Sequence, residues 1–230
     1  PKWAKKDQYN SILFKSVRWE DSTFILPKIG KVKIFKDRHP KGKLKTASIV
    51  KIQNQYFICI NAEVESENLY PTSENQTIGL DMGITYFLVD SDGCFVENPR
   101  IFKSFERQLR IENRSLARKK KGSNSRQTQK ERLLRLYSKI TNVRKNFLHN
   151  ISTQYIRSNT LILAENLKVK NMVKFGNLSK HILDASWSSF FFMLNYKAKL
   201  YEKVFVQINP AYTSQKCSSC GNVTKENRLT

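Results

Sequence analysis

Two acidic residues of the chain each stand at the end of a short apolar segment. Asp81 follows Thr77-Ile-Gly-Leu, and Glu165 follows Thr160-Leu-Ile-Leu-Ala. If both segments are strands of one sheet, the two carboxylates can converge, and converging carboxylates repel each other unless a cation lies between them. Mg²⁺ prefers a few carboxylate oxygens completed by water and phosphate, and a pair of such ions about 4 Å apart can hydrolyse a phosphodiester. The alternative is that each residue is an ordinary acid at a strand end.

A second chemical motif lies near the end of the sequence, where Cys217 and Cys220 form a Cys-x-x-Cys pair. Two thiolates at this spacing supply half of a tetrahedral Zn²⁺ shell. A redox pair is the alternative, but such a pair normally opens a helix in a thioredoxin-like setting, which the surrounding sequence does not offer. No Cys or His follows before Thr230, so the sequence predicts the first half of a zinc ribbon. The other two cysteines, Cys59 and Cys94, lie singly in apolar segments, and we expect both to be buried thiols.

The charge of the chain indicates the kind of partner. The 230 residues include 41 Lys+Arg against 19 Asp+Glu, a formal net charge of +22. Such a field favours a polyanion, nucleic acid first and an anionic membrane second. No apolar segment approaches the roughly 20 residues needed to span a bilayer, and neither a signal peptide nor the cysteine density of a secreted scaffold is present. We therefore expect a cytoplasmic protein without a membrane partner, and the absence of an initiator Met at Pro1 predicts that the chain begins partway into a longer protein.

The positive charge is unevenly distributed. Residues 78–100 carry four acidic side chains and one basic one, whereas residues 101–150 carry fifteen basic and three acidic ones. Because the acidic island lies between basic segments, its carboxylates are poor candidates for general solubilising charge. When clustered lysines and arginines neutralise phosphates, counterions of the nucleic acid are released. We therefore predict that the basic side chains of residues 101–150, and the lysines near residue 30, contact nucleic acid; the alternative is that they are merely solvated. The predicted contacts are Lys28, Lys31, Lys33, Arg114, Arg118, Lys119, Lys120, Lys121, Arg132, Arg135 and Arg144.

Hydrophobic periodicity indicates a β-rich segment followed by an α/β segment, with the polar residues 71–76 as the linker between them. The predicted strands are residues 24–26, 32–35, 48–52, 56–64, 78–81, 84–89, 94–96, 160–165 and 204–208. The predicted helices are residues 104–120, residues 126–157 and a third helix that begins at Trp187.

The second predicted helix is amphipathic. An amphipathic helix on a membrane has a similar pattern, but the neighbouring strands imply a globular core for the apolar face to cover. The expected apolar face consists of Leu133, Tyr137, Ile140, Phe147, Ile151 and Tyr155, and the opposite face carries Arg132, Arg135, Lys139 and Lys145. The third helix is expected to bury Trp187, Phe190, Phe191, Leu194, Ala198 and Tyr201.

Seven segments, taken together and in order, resemble one protein family. They are residues 24–30 (FILPKIG), 78–83 (IGLDMG), 114–122 (RSLARKKKG), 144–149 (RKNFLH), 163–167 (LAENL), 184–187 (DASW) and 212–221 (YTSQKCSSCG). Any one of them could arise by chance, but seven collinear motifs over nearly the whole chain resemble the TnpB/OrfB family of insertion-sequence proteins.

The resemblance implies an RNA-guided DNA endonuclease of a bacterial insertion sequence, similar to the type V CRISPR effectors and located in the cytoplasm with the nucleoid. Its partners would be a transposon-encoded guide RNA and the target DNA beside a short motif, which the family cuts with Mg²⁺. Residues 77–208 would form an RNase H-like (RuvC) nuclease domain, a mixed α/β sheet with helices. Residues 1–76 would form a small β-barrel-like, WED-like domain that binds guide RNA, and residues 209–230 the first half of a zinc ribbon.

Matching motifs carry the family's functional residues onto this sequence. Asp81 corresponds to the first RuvC acid and Glu165 to the second, both as catalytic Mg²⁺ ligands. Cys217 and Cys220 correspond to the first zinc knuckle, a structural Zn²⁺ site whose shell is incomplete in this chain.

The sequence departs from the family pattern at both ends. Family members continue with a second Cys-x-x-Cys knuckle and a third catalytic Asp, and they begin with a helical recognition region, so we expect this chain to be a fragment that is inactive by itself. Two other classes of function stay open. One is a catalytically inactive guide-RNA-binding or DNA-binding fragment or regulator. The other is a DDE-type transposase, which shares the RNase H-like fold but which the late zinc ribbon disfavours.

Overall fold

Two separately packed units make up the chain, residues 1–67 and residues 68–230. The computed structural model describes residues 11–20, 23–35, 42–52, 55–64, 76–174 and 179–209. The functional division expected at residues 76 and 208 stays a prediction.

Six short strands form the described part of the first unit. They are β1 (Ser11–Phe14), β2 (Arg18–Glu20), β3 (Thr23–Leu26), β4 (Gly30–Lys33), β5 (Lys43–Ile52) and β6 (Gln55–Glu63). They pair as two antiparallel sheets with the orders β1-β5-β6 and β2-β3-β4. Phe14, Phe24 and Leu26 are the buried centre of this unit, and the ring of Trp19 meets Phe24 edge to face at 4.5 Å. The barrel-like closure expected for this segment stays a prediction.

Five strands form a mixed sheet in the second unit. They are β7 (Thr77–Met82), β8 (Tyr86–Asp90), β9 (Phe95–Glu97), β10 (Leu161–Glu165) and β11 (Val204–Ile208). The strand order is β11-β10-β7-β8-β9. Strands β7, β8 and β9 form an antiparallel meander, while β10 lies parallel to both β7 and β11. The strands predicted at residues 78–81 and 160–165 are therefore neighbours in one sheet.

Five helices accompany this sheet in the described residues. They are α1 (Ile101–Arg118), α2 (Asn124–Ser158), α3 (Val169–Lys174), α4 (Ser179–Ala185) and α5 (Trp187–Leu200). The 35-residue helix α2 begins after Ser123, whose hydroxyl accepts a hydrogen bond from the backbone N–H of Arg126 at 3.2 Å. This capping satisfies one of the free N–H groups of the first turn. None of the described helices is long and apolar enough to cross a membrane.

The main core lies between one face of the sheet and helices α2 and α5. Phe87, Leu88 and Ile162 of the sheet and Phe190 and Leu194 of α5 are at most 1% exposed. Each such side chain contributes about 1.5–3 kcal/mol by leaving water. The burial predicted for the third helix is confirmed, apart from Tyr201, which is only half-buried.

The apolar stripe of α2 differs from the prediction. Tyr137 is 44% exposed, and Leu136 beside it is buried instead. Residues spaced by seven are displaced by about 20° around a straight helix at each repeat. The side chains of residues 133, 140 and 147 therefore do not all point to the same side of α2. The first half of α2 packs against α1 through Leu133, Leu136 and Ile140, and the second half packs against the sheet through Leu148 and Ile156.

The prediction that Cys59 and Cys94 are buried is wrong, because both are exposed. Cys59 occupies an outward position of β6, while Ile58 and Ile60 on either side turn toward the core. Strand alternation therefore excludes Cys59 from the core although its neighbours are apolar. Cys94 lies in the turn between β8 and β9.

Candidate functional site

The ends of two neighbouring parallel strands bring the two predicted acids together. The last paired residues of β10 and β7 are Ala164 and Leu80, and the next residues along the two strands are Glu165 and Asp81. Parallel strands end at the same edge of a sheet, and neighbouring strands lie about 4.8 Å apart. The two carboxylates therefore extend from adjacent backbone positions.

Both carboxylates lie on the sheet face opposite the helices. Alternate side chains of a strand point to opposite faces, and the residues of β7 and β10 that turn into the core are Ile78, Leu80, Met82, Ile162 and Ala164. Asp81 and Glu165 occupy the intervening positions, where Asp81 is exposed and Glu165 is partly exposed. One face of the sheet thus carries the core, and the other carries the acids.

An open cleft of about 350 Å³ contains both acids. Its floor is the sheet face around the ends of β7, β10 and β11 that none of the described helices covers. The cleft is lined by Gly79, Leu80, Asp81, Val89, Asp90, Ser91, Leu163, Ala164, Glu165 and Ile208.

Asp90 also lines the cleft, but its carboxylate is used to build the turn after β8. One oxygen accepts hydrogen bonds from the backbone N–H groups of Asp92 at 3.1 Å and Cys94 at 2.8 Å. The other accepts from the hydroxyl of Tyr155 at 2.9 Å. Burial, and then this hydrogen bond, raise the pKa of the Tyr155 hydroxyl above its ordinary value, so Tyr155 stays a donor. Because Tyr155 lies 65 residues from Asp90, no local sequence pattern indicated this pairing.

Ser91 fixes the floor of the cleft. Its backbone N–H donates to the carbonyl of Gly79 at 2.9 Å, and its hydroxyl accepts from the N–H of Gly79 at 3.2 Å. These two bonds extend the contact between the turn and β7, two residues before Asp81. The backbone that carries the first acid is therefore held from both sides.

The donor set is suited to a hard divalent cation. Mg²⁺ is commonly held by one or two carboxylates, with water and substrate phosphate completing its shell, and Asp81 and Glu165 supply two carboxylates beside open solvent. Among the residues that the structure describes, no group of three or more His, Cys, Asp or Glu side chains could enclose a metal ion. The described part of the site thus offers a pair of carboxylates.

The predicted nucleic-acid residues of the helices lie mainly along the hairpin formed by α1 and α2. All of those named above in this hairpin are exposed except Lys119 and Arg144. Lys119 is half-buried, and its Nζ donates to the carbonyl of Ser125 at 3.3 Å. In the first unit, Lys28 lies in the turn between β3 and β4, and Lys31 and Lys33 lie on β4; all three are exposed. Lys31 forms a surface ion pair with Glu20 at 3.3 Å.

Arg144 is the exception, because its guanidinium is engaged inside the second unit. It pairs with Asp184 at 2.9 Å, and the two side chains are 24% and 10% exposed. Both oxygens of Asp184 also accept from the backbone N–H of Phe102 at 2.9 Å. Arg100, the residue before α1, provides no side-chain cap, so Asp184 caps α1 from a distance while pairing with α2. These contacts give Arg144 a structural role and do not support the surface role predicted for it.

The predicted zinc ligands Cys217 and Cys220 lie outside the described residues, as does the whole segment 210–230. The half zinc ribbon therefore stays a prediction.

The fold and site define a mixed α/β protein with a pair of acids at the ends of adjacent parallel strands. Residues 57–176 match the family model OrfB_IS605, described as a probable transposase. The chain belongs to this family, and the resemblance to TnpB/OrfB proteins is confirmed. Residues 187–230 match a second model, described as the Cas12f1-like TNB domain.

Curated relatives agree with this assignment. InsQ of Escherichia coli K12, whose name provisionally describes an RNA-guided DNA endonuclease, is 31% identical over 248 aligned positions that cover all of this chain and 61% of InsQ. A Streptomyces pristinaespiralis protein, also named provisionally as an RNA-guided DNA endonuclease, is 35% identical over 147 positions, covering 64% of this chain and 37% of that protein. The chain thus spans less than two thirds of the length of these relatives.

A solved structure shares the fold. It is a Cas12f1 protein determined by cryo-electron microscopy in complex with sgRNA and target DNA. The two chains superpose with a TM-score of 0.56 at 12% sequence identity, covering 94% of this chain and 53% of that one.

Proposed function

We propose that this chain is the nuclease portion of an insertion-sequence RNA-guided DNA endonuclease, in which Asp81 and Glu165 hold Mg²⁺ for phosphodiester hydrolysis. The observation that carries the proposal is the register of β7 and β10, which places the two acids side by side on the sheet face that the described helices leave open. The provisional names of the relatives from Escherichia coli and Streptomyces supply the reaction class.

The same proposal assigns the domains. Residues 77–208 act as an RNase H-like RuvC domain, supported by the mixed five-stranded sheet with helices on one face. Residues 1–76 act as a WED-like domain for guide RNA, supported by their β structure and exposed lysines. Residues 209–230 contribute half of a structural zinc ribbon, supported by the match to the TNB domain. The protein works in the bacterial cytoplasm, where its DNA substrate is.

Each group in the cleft has a distinct task in the proposed reaction. Bound Mg²⁺ would lower the pKa of a water and stabilise the leaving oxygen. Asp81 and Glu165 hold the ion at the strand ends, while Ser91 and Asp90 keep the β8 turn closed against β7. The exposed arginines and lysines of the α1–α2 hairpin neutralise the phosphates of guide RNA and DNA, so affinity for RNA should fall steeply with salt.

The test is cleavage of guide-matched DNA by the full-length protein bound to its guide RNA. Asp81→Asn and Glu165→Gln should each lower the Mg²⁺-dependent rate by more than the roughly 10- to 100-fold typical of losing an outer-shell partner of a metal. Glu202→Gln is the matched control, since it removes an exposed carboxylate of the second unit that does not line the cleft. Guide-RNA affinity should be unchanged in all three variants, because none touches the basic surface.

Retained cleavage in Asp81→Asn and Glu165→Gln would contradict the assignment of the metal ligands. A full-length protein that binds guide RNA and DNA tightly but does not cleave in Mg²⁺ would instead support the inactive, nucleic-acid-binding regulator.

A further inference from the structure

The sheet face that carries the two acids continues toward β9 and exposes aromatic rings there. Asp81 of β7 pairs with Val89 of β8, and Val89 pairs with Phe95 of β9. Residues that pair directly across strands lie on the same face of a sheet. Asp81 and Phe95 are therefore in one cross-strand row, two strand spacings or roughly 10 Å apart.

A bulge in β8 brings a second ring to the same face of the sheet. The register between β8 and β9 shifts between Tyr86 and Leu88, and the consecutive residues Phe87 and Leu88 are both buried in the core. An extra residue of this kind locally interrupts the alternation of a strand. Tyr86 consequently falls on the same face as Val89, and not on the core face.

Tyr86 and Phe95 form an exposed pair. Tyr86 is 43% and Phe95 is 62% exposed, and their ring centroids lie 5.0 Å apart with planes inclined at 43°. The next residue of β9, Val96, packs into the core from the opposite face. A cross-strand aromatic pair stabilises a sheet by about 0.2–1 kcal/mol, which explains the contact between the rings but not their exposure beside the acids.

The charge around the rings selects the kind of ligand. Residues 78–100 carry four acidic side chains and only Arg100 as a base, so a phosphate is repelled from this end of the sheet unless a cation screens it. A nucleobase is uncharged, and every base has a flat face that stacks on an aromatic ring. Bases inside a duplex already stack on each other, so a ring platform favours an unpaired nucleotide.

We propose that Tyr86 and Phe95 form a stacking platform for an unpaired base of the DNA strand whose phosphate lies at Asp81 and Glu165. This inference rests on the proposed nuclease function and adds a binding subsite to it. The distance of two strand spacings suits a base one or two nucleotides from the phosphate at the acids. The platform would hold the strand across the open face and favour single-stranded over duplex DNA.

The experiment measures binding of a short single-stranded DNA that carries the fluorescent base 2-aminopurine, using the full-length protein with its guide RNA. Binding is measured in an Asp81→Asn background, so the readout does not depend on cleavage. Phe95→Ala should weaken binding about 5- to 150-fold, the equivalent of one lost base–aromatic stack, and should abolish quenching of the probe at its stacked position. Phe95→Trp should keep both.

Two further variants separate stacking from general apolar contact. Phe95→Leu keeps an apolar side chain without a ring and should behave like Phe95→Ala in quenching. Phe192→Ala is the matched control, because Phe192 is 69% exposed and contacts Tyr196 on α5 at a centroid distance of 5.7 Å. It should bind the probe as the parent does. Duplex DNA should bind equally to the parent and to Phe95→Ala.

Unchanged affinity and quenching in Phe95→Ala would overturn the proposal, as would an equal loss in Phe192→Ala. A loss of thermal stability in Phe95→Ala with normal DNA binding would also overturn it, because the rings would then be covered by protein. Parallel cleavage assays of the unmodified protein keep the two hypotheses apart. Absence of cleavage with intact quenching at Phe95 rejects the nuclease function alone, and normal cleavage without quenching rejects the platform alone.

Discussion

On the helix-covered face of the five-stranded sheet, Leu80 of β7 and Ile162 of β10 are almost completely buried, whereas on the other face the same two strands expose Asp81 and partly expose Glu165. The two faces are made by neighbouring positions of the same short segments. Strand alternation therefore lets one segment supply apolar contacts that hold the fold and polar groups that meet a ligand. The comparison implies that substitutions on the two faces should separate stability from activity.

The largest expected effect is a loss of stability on the covered face. Phe190 of α5 is fully buried, and Phe190→Ala should lower the free energy of unfolding by about 3–5 kcal/mol through lost contacts and the cavity left behind. Asp81→Asn on the open face should change it by no more than about 0.5 kcal/mol, because the side chain is exposed. Urea unfolding followed by circular dichroism measures both. If Asp81→Asn lowered the free energy of unfolding as much as Phe190→Ala, stability would not depend mainly on the helix-covered face.

A smaller loss of stability is expected from breaking the ion pair between Asp184 and Arg144 on the helix-covered side of the sheet. Asp184→Asn removes the ion pair with Arg144 and weakens the cap of α1, and it should cost about 1–3 kcal/mol. This is less than the 3–5 kcal/mol typical of breaking a buried pair, since Arg144 is 24% exposed and solvent screens it. The control Glu106→Gln breaks the surface pair with Lys180 and should leave the urea midpoint nearly unchanged. Equal midpoints for the two variants would contradict the structural role of Asp184.

The smallest effect concerns a buried lysine between α2 and α5. Lys197 is 6% exposed, and its Nζ donates to the hydroxyls of Ser152 at 2.8 Å and Thr153 at 2.6 Å and to the carbonyl of His149 at 2.8 Å. Burial among these neutral acceptors lowers the pKa of Lys197 below its ordinary value of 10.5. The unfolded chain then binds more protons than the folded one as the pH nears 10.5, so this residue contributes stability that increases with rising pH.

Lys197→Met should remove that contribution, so as the pH rises toward 10.5 its free energy of unfolding should increase less than that of the unmodified protein. The control is Lys199→Met, which removes an exposed lysine from the same helix. Urea unfolding at several pH values measures the slopes. Parallel slopes for the two variants would mean that Lys197 keeps its ordinary affinity for protons.

The strands that carry the acids were predictable because they are short, apolar and bounded by polar residues. Residues 160–165 read as a buried strand from composition alone, and β10 occupies nearly that range. Which strands become neighbours is a different matter, because pairing between residues this far apart leaves no mark in local periodicity. The sequence predicted that Asp81 and Glu165 converge only if their two strands belong to one sheet. The register of β7 and β10 shows that these strands are direct neighbours.

Other features could not be read from the sequence for identifiable reasons. The run Tyr86-Phe-Leu-Val is apolar throughout, so nothing in it marks the bulge that turns both Phe87 and Leu88 inward. Arg144 looked like its exposed basic neighbours, because its partner Asp184 lies 40 residues away. Cys59 was assigned to the core from apolar neighbours, although its strand alternates.

The capping of α1 by the distant residue Asp184 also constrains the order in which the chain folds during synthesis. Asp184 follows Phe102 by 82 positions, and chains emerge from the ribosome with their N-terminal segments first. The β7–β9 meander and the α1–α2 hairpin can form from local contacts while the rest is still being made, whereas contacts between distant residues wait for loop closure. During that interval the first turn of α1 lacks the carboxylate that caps it, and the cleft beside Asp81 lacks the wall that β10 provides. The nascent chain therefore acquires a basic hairpin before it acquires a paired acidic site.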